Sequence, residues 1–181
     1  MAGLLRTWTL TSALLLTLLP PRAFASAPDE KPLDLVFRNG RGEDLALRDL
    51  RGQPLLLYVF ASSIRNAPAS IATVADVARE VGPEISVLAL SIDRDAAALE
   101  RFLEATKPSL RVLADPSGEL VERLVLSHVP ALLVVDPFGR VRNRHEPFAS
   151  SDASAVVREV GLLKTGKPLP GSATPSTCSP P

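Results

Sequence analysis

The chain has a single cysteine among its 181 residues, Cys178, which lies close to the C-terminal end. One thiol cannot form an intramolecular disulfide, so we expect packing alone to hold the core together. A dithiol cycle of thiol-disulfide exchange needs two thiols, an attacking one and a resolving one. The composition therefore excludes such a cycle within one copy of this chain.

The chain also has few aromatic residues and no excess of charge of either sign. The chain has one tryptophan, one tyrosine, six phenylalanines and one methionine, and its 20 basic residues match its 20 acidic residues. A nucleic-acid-binding domain is usually strongly basic, with lysine and arginine clustered on one face. The balance predicts that nucleic acid is not a partner.

Residues 1–25 have the pattern of a secretory signal peptide. Arg6 provides a positive start, a short apolar run follows at residues 10–19, and Ala23 and Ala25 are small residues suited to cleavage. The run is about half the length that spans a bilayer, and two prolines follow it. We expect cleavage before Ser26, no permanent membrane anchor, and a periplasmic or secreted protein.

Hydrophobic patterning beyond residue 32 alternates between strand and helix periods. Continuous apolar runs of strand length predict strands buried on both faces. Apolar residues at intervals of three and four predict amphipathic helices. The predicted strands cover residues 33–38, 44–48, 54–61, 84–92, 110–114, 129–135 and 140–145, and the predicted helices cover 67–81, 96–105, 119–126 and 151–160.

This order is βββαβαβαββα. Strands separated by helices pair in parallel through right-handed crossovers, and a closing hairpin adds antiparallel strands. The expected fold is a three-layer α/β/α sandwich around a mixed sheet, with a β extension at its N-terminal side. The expected organisation is a lead-in at 26–32, one domain at 33–162, and a disordered tail rich in proline and serine at 163–181.

Two segments resemble the TlpA-like and redoxin (AhpC/TSA-like) branch of the thioredoxin superfamily. Residues 35–62, LVFRNGRGEDLALRDLRGQPLLLYVFAS, are similar to the opening of that branch. Residues 128–141, HVPALLVVDPFGRV, are similar to its later strand, which a cis-proline introduces and Asp-x-x-Gly follows. The resemblance covers roughly residues 33–160 and implies a thioredoxin-like fold with thiol-disulfide oxidoreductase ancestry.

The redox motif of that family is missing here. The family's central strand leads into Trp-Cys-x-x-Cys at the start of a helix, where the helix end lowers a thiol pKa and the second thiol resolves the mixed disulfide. The resemblance places Ile64 and Ala67 at the two cysteine positions and Ser63 at the tryptophan position. We therefore expect no catalytic residue at this loop and no cofactor.

The resemblance also implies a peptide groove. In the family, the residue before the cis-proline lies beside the active site and pairs with an extended substrate; here that residue is Val129, followed by Pro130. The expected groove consists of Ser63, Arg65, Asn66, Val129 and Pro130. Its expected partner is a peptide segment of another exported protein.

His128 suggests a copper alternative. Sco-type copper chaperones, which are also thioredoxin-like, have Cys-x-x-x-Cys-Pro and a histidine before a later aspartate; in that register Ser63 and Ala67 replace the cysteines. Cu(I) prefers thiolate and thioether donors. His128 alone is a weak metal candidate, and the interpretation as a groove or packing residue is favoured.

Three functions remain open on the sequence. The first is a redox-inactive binding or accessory module. The second is thiol-disulfide exchange between molecules, through Cys178 or a partner's thiols, although a thiol in a proline-rich segment has no helix end or fixed cation to lower its pKa. The third is a copper-handling accessory that depends on His128.

Overall fold

The apolar segment around Tyr58 forms the central strand of a five-stranded mixed sheet. The structure, a computed structural model, describes residues 32–34, 36–38, 44–167 and 169. Its strands are β1 (Val36–Arg38), β2 (Asp44–Ala46), β3 (Leu55–Phe60), β4 (Ser86–Ser91), β5 (Arg111–Ala114), β6 (Ala131–Val135) and β7 (Val141–His145). Its α-helices are α1 (Ala67–Val81), α2 (Ala96–Thr106), α3 (Glu119–Leu124) and α4 (Ala153–Lys164).

The sheet has the strand order β5-β4-β3-β6-β7. Strands β3, β4 and β5 are parallel, whereas β6 is antiparallel to both β3 and β7. All six residues of β3 are buried, as expected for a strand covered on both faces. The predicted order of elements and the mixed α/β/α architecture are confirmed.

Two apolar clusters cover the two faces of the sheet. On one face, α1, α2 and α4 pack over Leu56, Tyr58 and Phe60. On the other face, α3 and the segment after β2 pack over the alternate β3 residues Leu57 and Val59. This period of two explains how a continuous apolar strand supplies both cores.

The N-terminal extension forms an antiparallel pair of strands, in the register Val36↔Ala46. The predicted second strand ends earlier than expected, because Leu47–Leu50 form a short 3₁₀ helix with Leu47 buried. The turn predicted between the two strands, at residues 39–42, lies outside the described residues.

The last helix extends beyond the predicted end of the domain at residue 162. Val156, Val160 and Leu163 continue one buried stripe along α4, and the Lys164 Nζ donates to the carbonyl of Val81 at 2.8 Å. Leu169 is also buried in the core. The composition rich in proline and serine predicts a tail from residue 163, but Leu163 and Lys164 are the last residues of a packed helix.

Residues 1–31 and 170–181 lie outside the described residues, and with them the predicted signal peptide, most of the predicted tail and Cys178. In the part of the chain that the structure describes, no helix is both long enough and apolar enough to cross a membrane.

Candidate functional site

Three loops meet at one edge of the sheet. The register pairs Phe60 with Ser91 and Val59 with Ala131. Because β6 runs opposite to β3 and β4, the loops at 61–66 and 92–95 follow their strands at the edge where the loop at 125–130 enters β6. The fold thus brings the predicted groove residues of two distant segments to one place.

An aspartate that the sequence analysis did not assign to the site anchors the first of these loops. The carboxylate of Asp93 accepts hydrogen bonds from the Ser62 backbone N–H at 2.9 and 3.1 Å and from the Ser62 hydroxyl at 2.8 Å. It also accepts one from the hydroxyl of the buried Ser91 at 2.6 Å. Asp93 therefore ties the loop after β3 to the end of β4.

The residues at the two predicted cysteine positions face the protein rather than solvent. Ile64 is half-buried and packs against the core cluster beneath α1, and Ala67, the first residue of α1, is fully buried. The Ala67 N–H donates to the Ile64 carbonyl at 2.9 Å. Neither side chain carries a group that can attack a disulfide. Ser63, Arg65 and Asn66 are exposed.

A buried pair of hydroxyl groups links the central strand to the start of α1. The hydroxyls of Tyr58 and Ser70 are 2.5 Å apart, and the Ser70 hydroxyl donates to the carbonyl of Asn66 at 3.0 Å. Tyr58 is fully buried. Burial raises the pKa of Tyr58 to about 12, although the hydrogen bond from Ser70 lowers it in part. The central strand thus holds the last residue of the loop in place.

The loop before β6 contains the expected cis-proline: the Val129–Pro130 peptide bond is cis, which confirms that prediction. Val129 is half-buried, Pro130 is buried, and the Pro130 carbonyl accepts from the Phe148 N–H at 2.7 Å. Among the described residues, neither the N–H nor the C=O of Val129 has a hydrogen-bond partner. These two backbone groups are available to an extended segment.

Glu146, which follows β7, holds the same loop through its carboxylate. Its Oε1 accepts from the backbone N–H groups of Ser127 and His128. The Glu146–Pro147 peptide bond is also cis, which the sequence analysis did not predict. Glu146 follows an edge strand and was not assigned to the site, because nothing local in the sequence shows that it reaches the loop before β6.

His128 lies exposed on this loop. Across the described ranges, no three histidine, cysteine, aspartate or glutamate residues come together in a way that could hold a metal ion. The other histidine, His145, belongs to a separate cluster: its Nε2 lies 3.0 Å from the Glu159 carboxylate, which also accepts from the Asn143 side-chain amide at 2.7 Å.

A model of the AhpC/TSA family matches residues 26–144. The chain belongs to the AhpC/TSA family. This agrees with the redoxin resemblance of the two quoted segments.

Several solved structures with a similar fold belong to proteins that are named for disulfide chemistry. A protein assigned as the thiol:disulfide interchange protein DsbE from Chlorobium tepidum superposes with a TM-score of 0.68 and 20% identity, over 75% of this chain and 97% of that one. A secreted Mycobacterium tuberculosis disulfide oxidoreductase, homologous to E. coli DsbE, gives a TM-score of 0.58 and 18% identity, over 69% and 95%.

The exposed lipoprotein thioredoxin Etrx1 of Streptococcus pneumoniae gives a TM-score of 0.61 at 24% identity, over 74% of this chain and 99% of that one. No curated protein sequence matches the chain. At these identities the structural matches establish a thioredoxin-like fold and leave the activity of this family member to be argued from its own residues.

Proposed function

We propose that this AhpC/TSA family member is an exported, redox-inactive binding or accessory module that recognises an extended segment of another exported protein. The observation that carries the proposal is the pair of unpartnered backbone groups on Val129, described above, near the loop whose Ser63, Arg65 and Asn66 are exposed. An extended segment that adds to an exposed backbone gains main-chain hydrogen bonds, and side-chain pockets then provide specificity.

The two positions that carry sulfur in the redox motif support redox inactivity. Ile64 packs into the core and Ala67 is fully buried, so the loop is stabilised by apolar contacts. The Asp93 and Tyr58–Ser70 hydrogen bonds keep the loop in place without a disulfide. The retained scaffold with an altered motif fits a protein selected for binding rather than for electron transfer.

Insulin reduction tests the redox part of the proposal. The protein purified after export is compared with an Ile64→Cys, Ala67→Cys variant and with a matched Ile64→Ser, Ala67→Ser control. We expect wild type and the serine control to be silent and the cysteine variant to be active, because its thiols lie at the start of α1. Turnover by wild type would contradict redox inactivity.

The second candidate, exchange between molecules through Cys178, predicts a different result in the same assay. Any wild-type turnover would then disappear in a Cys178→Ser variant, because the chain has no other sulfur that can form a thiolate. Turnover retained by Cys178→Ser would exclude both candidates.

Peptide selection tests the groove. A phage-displayed random peptide library is selected on wild type and counter-selected on an Asn66→Trp variant, in which a bulky indole stands on the exposed loop. We expect peptides that bind wild type and lose affinity for Asn66→Trp. Failure to enrich any such peptide would overturn the binding proposal.

Export is part of the same proposal and depends on the pattern at residues 1–25. Expression of the full chain in a bacterial host, followed by fractionation and N-terminal sequencing, should give a periplasmic or secreted product that begins at Ser26. Uncleaved protein in the membrane fraction would contradict cleavage.

A further inference from the structure

The end of α3 has an unusual residue for its backbone conformation. Val125 has φ 52° and ψ 49°, in the left-handed region. Its N–H donates to the Glu122 carbonyl at 3.1 Å, and the N–H of Leu126 donates to the Val121 carbonyl at 3.2 Å. This bonding is that of a Schellman motif, and its two flanking apolar residues, Val121 and Leu126, both pack against the core cluster on the α3 face.

Glycine is the usual residue at the left-handed position of this motif, because it has no Cβ to collide with the backbone. A β-branched side chain is among the least suited to positive φ. Burial does not compensate here, since Val125 is 78% exposed. Valine therefore gives this helix end neither a favourable backbone nor a core contact.

The backbone around Val125 is held firmly. An Arg144 guanidinium nitrogen donates to the Leu124 carbonyl at 2.6 Å, immediately before Val125. Glu146 accepts from the amides of Ser127 and His128, and the Phe148 N–H donates to the Pro130 carbonyl. One segment, residues 144–148, thus fixes the whole loop at 124–130. A rigid loop presents its side chains at little entropic cost on binding.

Val125 lies four residues before Val129, so the two Cα atoms are at most about 14 Å apart. An extended segment that pairs with Val129 covers that distance in roughly four of its own residues. Leu126 and Val129 are both half-buried apolar residues on the same loop. Both pack against the core cluster on the α3 face of the sheet, whereas Val125 is exposed and lies within reach of a segment that pairs with Val129.

We propose that Val125 is an apolar contact for the bound segment. The contact would explain why a valine stands at a left-handed position that favours glycine. The segment would carry an apolar residue within about four positions of the residue that pairs with Val129, and that residue would pack against Val125. This inference rests on the proposed binding function. Strained positions of this kind are often found at functional surfaces.

The test uses fluorescein-labelled peptides from the selection on wild type, with affinity measured by anisotropy and stability by thermal unfolding. Val125→Gly should raise Tm by roughly 2–5 °C. It should also weaken peptide binding about tenfold, as loss of a buried valine contact predicts. Val125→Thr, which keeps the β-branched shape, should weaken binding about threefold with little change in Tm.

Lys107 provides a matched control. It occupies the left-handed position at the end of α2, with φ 43°, and its N–H donates to the Leu103 carbonyl. Lys107→Gly should raise Tm as Val125→Gly does, and it should leave peptide affinity unchanged. Replacing the apolar residues of the peptide by serine, one at a time, should show coupling to Val125 at a single position.

The outcomes separate this inference from the proposed function. Peptides that lose affinity for Asn66→Trp but bind both Val125 variants as tightly as wild type would overturn the inference and leave the groove intact. Equal weakening by Lys107→Gly and Val125→Gly would also overturn it, because the effect would then follow helix-end stability. If no peptide is enriched on wild type, both proposals fail.

Discussion

The phenol of Tyr58, fully buried in the central strand, shares a 2.5 Å hydrogen bond with the hydroxyl of Ser70 on α1. Either hydroxyl can donate in this pair, and the Ser70 hydroxyl also lies 3.0 Å from the Asn66 carbonyl, which can accept from it. This chain of hydrogen bonds joins the sheet to the loop at 61–66. It gives a polar cross-link to a site that has no disulfide.

Alkaline pH should weaken the protein through Tyr58. The pKa of Tyr58 is about 12 in the folded protein and about 10 in the unfolded chain, because burial disfavours the phenolate. The unfolded chain therefore loses its proton first, and the free energy of unfolding falls as pH rises above 10. The full loss, beyond pH 12, is about 3 kcal/mol.

Tyr58→Phe isolates this effect. The variant lacks one hydrogen bond, so near neutral pH it should be about 1 kcal/mol less stable than wild type in urea unfolding. Above about pH 11 the order should reverse, because only wild type carries the ionisation penalty. Tyr58 is the only tyrosine, so tyrosinate absorbance reports its ionisation directly. A parallel fall of both proteins with pH would contradict the prediction.

Much of the fold follows from the sequence, for a clear physical reason. Strands β3, β4 and β6 are continuous apolar runs, and α1 has an apolar stripe, so each is specified by its own residues. The end of α4 was predicted too early because two leucines and a lysine precede a proline-rich stretch, and local composition outweighed the helical stripe. What stabilises that end is a tertiary contact between Lys164 and Val81.

Asp93 should be needed to hold the loop after β3. In Asp93→Ala the Ser62 amide and the two serine hydroxyls lose their acceptor, and Ser91 is buried. We expect a loss of about 2 kcal/mol in the free energy of unfolding, measured in urea. Arg94→Gln is the control, because Arg94 is exposed, and it should change stability by less than about 0.5 kcal/mol. Similar values for the two variants would contradict an anchoring role.

The site was predicted less completely than the fold. Positions next to each other in sequence, such as Ser63 to Asn66, could be assigned together from the resemblance. Asp93 and Glu146 could not, because each acts on a loop that is distant in sequence, 31 residues away for Ser62 and 18 for His128. Asp93 lies just before the helix predicted at 96–105, yet the residue that caps α2 is Asp95, whose side chain accepts from the Ala97 N–H.

The cluster of Glu159 with His145 and Asn143 should matter for stability rather than for binding. Glu159 is a buried residue of α4, and its removal leaves the side chains of His145 and Asn143 without this partner. Glu159→Ala should therefore cost about 3 kcal/mol in urea unfolding. Arg158→Ala changes the exposed neighbour and should cost less than about 0.5 kcal/mol. Affinity for selected peptides should be the same in both variants, and a specific loss in Glu159→Ala would contradict a purely structural role.

Glu146 should couple loop order to binding, because its carboxylate holds two amides of the loop that carries Val125 and Val129. In Glu146→Ala the Ser127 and His128 amides lose that acceptor and hydrogen-bond to water instead. Their hydrogen exchange, measured by NMR, should therefore become at least about tenfold faster. The bound segment must then order the loop, and peptide affinity should fall about threefold. Glu122→Ala removes an exposed carboxylate from α3 and should alter neither quantity. Faster exchange with unchanged affinity in Glu146→Ala would show that the segment does not contact this loop.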